Sequence, residues 1–88
     1  MKKTEGFVMR RLGQDAMIVA ESVYLIDFDR IVSLNSSAAY VWESLPNSDF
    51  STRTIIDLLL QRFDVEEEVA NNDAKELVNT WLQAGIIK

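Results

Sequence analysis

Asp27 and Asp29 lie two residues apart, so an extended backbone would point both carboxylates to one face. Such a pair could work as acid and base, or contribute to a metal site. Glu66, Glu67 and Glu68 are consecutive, and successive side chains on a helix diverge by about 100°, so these three cannot converge on one substrate. Neither group has the usual helpers. The chain contains no His and no Cys, which removes the commonest general base and every thiolate ligand. Its serines have no base to activate them. Asp27-Phe28-Asp29 lacks the further oxygen ligands and the turn glycine of a calcium loop. Glycines at 6, 13 and 85 form no phosphate-cradling loop. Catalysis by this chain is not expected, nor is a metal or a cofactor.

Recognition is the chemistry left, and charge limits its partners. The net charge is −5. Residues 1–44 carry five basic and six acidic side chains, and residues 45–88 carry four and eight. Nucleic-acid binding needs clustered Lys and Arg, and the nearest approach is Lys2–Lys3 and Arg10–Arg11. These pairs read as a solvated terminus and a strand edge, so nucleic acid is not an expected partner. The first residues lack the apolar stretch of a signal peptide, and no run is long enough to span a membrane. The expected location is the cytoplasm, with no membrane partner.

At 88 residues, 48% apolar and 26% charged, the chain suits one domain over 1–88 with one core. Phe7–Leu12 reads as a strand, Gly13-Gln14-Asp15 as a turn, and Ala16–Ala20 as a central strand, apolar on both faces. Glu21–Asp29 is ambiguous: Val23–Ile26 could extend the sheet or pack as a loop. Phe28, Val32 and Leu34 then share a face, with Asp27, Asp29, Ile31, Ser33 and Asn35 on the other. Arg30–Leu34 is predicted as the third strand.

Asn35-Ser36-Ser37 offers capping oxygens for a helix whose stripe is Ala38, Val41, Trp42 and Leu45. Pro46 ends it. Ser51 caps a second helix with Ile55, Leu58, Leu59 and Phe63 on its apolar side. A third is predicted from about Glu66, with Asp64 as cap and the glutamates in its favourable first-turn field. Its broad apolar face is Val69, Ala70, Ala74, Leu77, Val78, Trp81 and Leu82, and Gly85 is its C-terminal cap. Ile86-Ile87 are expected to pack back or to finish as a short strand. Trp42 and Trp81 lie on apolar stripes and read as core; Tyr40 lies off its stripe and is expected to be partly exposed. Three strands followed by three helices predict an α+β domain with an antiparallel sheet, similar to a winged helix with the sheet first.

Such a sheet has two edges with unpaired main-chain groups. Arg30–Leu34 has no Pro and one basic residue to blunt it. Periodicity alone leaves open whether the protein's own helices cover this edge or another polypeptide joins it.

Longer stretches resemble the PqqD-like family. Gly6-Phe-Val-Met-Arg10 resembles its opening, and Leu34-Asn-Ser-Ser-Ala-Ala-Tyr-Val-Trp42-Glu43 its "LN-x-x-A-x-x-(I/V)-W-E" signature. Phe50–Val65 is similar to its second helix, and Asp73 through Gly85-Ile86-Ile87 to its ending. Each motif is mainly apolar; their order and spacing carry the likeness. The resemblance implies a RiPP recognition element, in which the leader of a precursor peptide adds as a strand beside the third strand, in a cleft against the third helix. Carried over, Arg30, Ile31, Val32, Ser33 and Leu34 would pair with the peptide, and Asp73, Leu77 and Thr80 would form the opposite wall. The implied partners are a precursor peptide and a modifying enzyme such as the radical-SAM enzyme of pyrroloquinoline quinone synthesis. The alternative is a structural or regulatory winged-helix domain that forms a homodimer through the same edge.

Overall fold

The computed structural model describes residues 1–20 and 31–88. Strand β1 (Phe7–Leu12) and strand β2 (Asp15–Ala20) are antiparallel, with Leu12 opposite Asp15. Only Gly13 and Gln14 separate them, and Gly13 takes φ +66°, a sign that only glycines adopt among the described residues. This is the two-residue hairpin geometry that wants glycine first, because its twist matches that of the strands. Strand β3 (Val32–Leu34) pairs with the other side of β2 through Ala16–Leu34, Met17–Ser33 and Ile18–Val32. The order β1-β2-β3 makes β2 central, as its two apolar faces predict.

β3 is shorter than the expected Arg30–Leu34. Ile31 lies outside the ladder and is 40% exposed. It falls on the wet side of the alternation, so no burial holds it in register. Arg30 and the ambiguous segment, with Asp27, Phe28 and Asp29, lie outside the described residues.

Three helices follow: α1 (Ser36–Ser44), α2 (Thr52–Arg62) and α3 (Glu67–Ala84). Asn35 caps α1, its Oδ1 accepting from the Ala38 N–H at 2.9 Å. Leu45 leaves the helix in an extended conformation ahead of Pro46. Ser51 and Thr54 form a reciprocal capping box on α2. The cap expected at Asp64 is not formed. Glu66 is the N-cap, without a side-chain hydrogen bond. Val65 and Glu66 separate Asp64 from the first turn, where Glu67 and Glu68 supply the favourable negative charge instead. Gly85 ends α3 at φ +78°, and the Ile86 N–H reaches back to the Trp81 carbonyl at 3.1 Å.

One apolar cluster joins the layers: Ala16, Ile18 and Leu34 from the sheet, the whole predicted stripe of α1, and buried residues of α2 and α3. Trp42 and Trp81 meet edge to face, with centroids 5.3 Å apart, an arrangement worth about 0.5–1.5 kcal/mol beyond the area buried. The predicted apolar face of α3 is narrower than expected. Ala70, Ala74 and Trp81 are buried, whereas Val69 and Leu82 are each 45% exposed. They sit at the two borders of the stripe, which α2 and the sheet do not reach.

Lys2–Lys3 is solvated only in part: Lys2 is exposed and Lys3 half-buried, and the backbone of both is tied into the fold. The Met1 amino group and the Phe50 N–H exchange hydrogen bonds with each other's carbonyls, both at 2.7 Å. Lys2 and Lys88 do the same, and Lys3 bridges Ile87. Ile86 and Ile87 are thus both packed into the core and part of a short antiparallel pairing. The Lys3 ammonium lies 5.0 Å from the centroid of the Trp42 ring. Arg10 and Arg11 do lie on β1 at the sheet's edge, where Arg11 pairs with Glu43.

Candidate functional site

Among the described residues, β3 pairs with β2 alone. Among the described residues no strand pairs with its outer side, along which the N–H and C=O groups of an edge strand alternate. Beside it runs a groove of about 420 Å³, with β3 as one wall and α3 as the other.

The groove is built in layers. Its floor is core: Ala38 of α1, Leu59 of α2 and Trp81 of α3, with Leu34 at the base of the strand wall. Above the floor, Val32, Phe63 and Leu77 are half-buried and offer apolar surface to anything that enters. Val65 reaches the rim and is 37% exposed. Polar groups line the rest: Ser33, Asn35, Ser37 and Thr80, with the carboxylates of Asp73 and Glu76 at the open side of α3. A second recess shares Val32, Ser33 and Thr80 and continues past Ile31 toward Gln83, Ala84 and Gly85. The two form one trough along β3.

The wall at Phe63 is supported from behind. Tyr40 packs edge to face against it at 5.9 Å, and the Arg62 guanidinium lies over both rings. Tyr40, half-buried off the α1 stripe, thus braces the groove.

Seven of the eight residues expected at the site come together here. Val32, Ser33, Leu34, Asp73, Leu77 and Thr80 line the main groove, and Ile31 lines its extension. Arg30 lies outside the described residues. Glu76, Phe63 and Val65 were not anticipated. Glu76 was legible, because Asp73, Glu76, Leu77 and Thr80 fall on one helical face at i, i+3, i+4 and i+7. Phe63, the C-cap of α2, was read only as the last apolar position of that helix, and Val65 comes from the connection between α2 and α3, which has no periodicity to read.

The three consecutive glutamates do not converge. Glu66, Glu67 and Glu68 are all exposed, and Glu67 is held by Arg53 at 2.8 Å. Arg53 is fully exposed, and its pKa is raised first by that hydrogen bond and then by Asp57. Among the described residues no group of three or more potential ligands is placed to hold a metal. None of the described helices is long and apolar enough to cross a membrane.

Comparison with known proteins places this geometry. No curated protein matches the chain. TbiB1, solved in complex with the TbiA(beta) leader peptide, is similar in structure with a TM-score of 0.75. The likeness covers 100% of this chain and 95% of TbiB1 at 11% identity, which establishes a shared fold. The family model of coenzyme PQQ synthesis protein D (PqqD) matches residues 22–87. The match takes in β3, all three helices and every residue named above on the groove, while the β1–β2 hairpin and the Gly6–Arg10 opening precede it. With most of its length matched in this way, the chain belongs to the PqqD family.

Proposed function

We propose that this chain is a non-catalytic recognition protein that captures the leader of a precursor peptide by strand addition beside β3. It then presents the peptide to a modifying enzyme, such as a radical-SAM maturase, in the synthesis of a ribosomally made peptide product or a PQQ-like cofactor. Membership of the PqqD family and the leader peptide bound to TbiB1 support a peptide as the partner. The observation that carries the reading is a β3 edge with no second strand partner among the described residues, beside an apolar groove.

Magnitudes assign the work. β3 is three residues long, so a guest strand gains about three or four main-chain hydrogen bonds at ~1 kcal/mol each. Ordering as many guest residues costs about 1–2 kcal/mol apiece. Backbone pairing at best breaks even. Affinity must come from guest side chains buried against Leu77, Phe63 and Leu59, at about 1.5–3 kcal/mol for each large apolar group.

Leu77→Arg tests this directly. The probes are leader segments of short peptides encoded beside the gene. Binding is expected to weaken at least ~10-fold, the loss of about 1.4 kcal/mol that one displaced apolar contact implies. The domain should melt as the parent does, because Leu77 is only half-buried. Amide exchange of Ser33 and its neighbours should slow when the peptide binds. Unchanged affinity in a folded Leu77→Arg protein removes Leu77 from the wall, and unprotected β3 amides in a bound complex remove strand addition.

A free edge also admits a second copy of the chain. Isologous pairing through β3 would set like acidic grooves, Asp73 and Glu76 included, beside each other in a molecule of net charge −5. A monomer is the expected state of the isolated protein, checked by sedimentation.

A further inference from the structure

We infer that the segment this groove takes carries a Lys or Arg two residues from an apolar anchor, with the anchor against Leu77 and the cation between Asp73 and Glu76. This rests on the strand-addition reading above and adds the chemistry of the occupant.

Charge is the first observation. Among the described residues, every titratable group lining the groove and its extension is an acid: Asp73 and Glu76, both exposed. The nearby cations among the described residues are directed elsewhere. Lys75 lies between the two acids in sequence but is not part of the wall. Arg62 lies over the rings of Tyr40 and Phe63, and Arg53 is engaged by Asp57 and Glu67.

Spacing is the second. Leu77 and Asp73 are four residues apart on α3, about 6 Å along the helix axis. Two residues of extended chain advance about 6.6 Å and return a side chain to the same face. A guest strand lying along α3 therefore meets Leu77 and Asp73 with residues i and i+2. Asp73 and Glu76 are neighbours on the helix surface, about 5–6 Å apart at Cβ, so one long cationic side chain reaches between them.

Burial is the third. The floor under Leu77 is Leu59 and Trp81, both buried. A cation seated there would lose its hydration without a partner, whereas at the rim it keeps water and gains two carboxylates. An acidic guest residue at the same place meets like charge. Exposed pairs are individually weak, so the expected preference for Lys over Glu is about 5-fold at low salt.

The test uses labelled peptides of ~9 residues on one Thr/Val host, carrying Leu-Thr-Lys or Lys-Thr-Leu because a guest can run either way along β3. Each has a counterpart with Glu in place of Lys. One Lys order should bind about 5-fold tighter than its counterpart, with the difference fading at about 0.5 M salt. It should vanish in D73N/E76Q, whose thermal melting should match the parent's. Equal affinities for Lys and Glu, or a preference that survives in D73N/E76Q, overturn the charge inference and leave strand addition standing. Failure of every peptide to bind at about 1 mM overturns both.

Discussion

Two short segments of this protein face the same problem and resolve it in opposite ways. Lys2–Thr4 finds its partner at Ile86–Lys88, with hydrogen bonds of 2.7, 2.8 and 2.9 Å closing the ends of the described chain on each other. Val32–Leu34 is of the same length, yet among the described residues it pairs on one side only, with a groove beside it. At the clasp the apolar side chains Ile86 and Ile87 are fully buried. At the groove Val32, Leu77 and Phe63 stay half-buried, with the surface they would lose to a partner still exposed. A domain this small has few apolar side chains to spare. Leaving three of them half covered is what equips the β3 side, and not the clasp, to receive a guest.

Trp81 joins the two regions, since it floors the groove and packs edge to face on Trp42, which lies beneath Lys3 of the clasp. Trp81→Ala should cost about 3–5 kcal/mol, most of the stability of so small a domain, read by thermal or urea unfolding. A loss below about 1 kcal/mol would show that clasp and groove are not held by a common core.

Ile87→Ala breaks the clasp alone. The side chain is 2% exposed, so a loss of about 2–4 kcal/mol is expected. The protein that remains folded should bind peptide with parental affinity, because Ile87 does not line the groove. Weakened binding per folded molecule would mean that the two regions are coupled. Asn35→Ala acts from the other side. It removes the α1 cap at the Leu34 end of the groove, at about 1 kcal/mol, and amide exchange should rise in the first turn of α1 while the clasp stays protected.

How much of this was legible depends on how far apart the interacting residues lie. The order of elements was readable because period two changes to period 3.6 after Leu34. Asn35, Ser51 and Gly85 declared their caps because capping needs a particular residue type at a particular place. Asp64 misled for the same reason: a suitable residue stood two positions too far out, and the glutamates that follow it served instead. The clasp was hidden because it pairs the two ends of the chain, and no local pattern records that. Phe63 was readable as apolar at helical spacing, but the pattern is the same whether a residue meets the core or an open groove. Only the packing of Tyr40 behind it separates the two.

The smallest effect expected lies at Lys3. Its ammonium is half-buried at the clasp, and burial pulls its pKa below the ordinary 10.5. The unfolded chain then holds this proton more tightly than the folded one. Below the folded pKa the protein carries the full penalty of the buried charge; as pH rises through that value toward 10.5, the penalty is lifted. Trp42 opposes this, because a cation near its ring is attracted to the face of the π system. Lys3→Met keeps the packing stem and removes the charge. Burial therefore predicts that the parent gains stability relative to Lys3→Met over that alkaline interval, measured by urea unfolding at a series of pH values. A parent that instead loses ground to Lys3→Met as pH rises would show that the Trp42 ring outweighs desolvation. The clasp would then be held together by its cation and not merely tolerant of it.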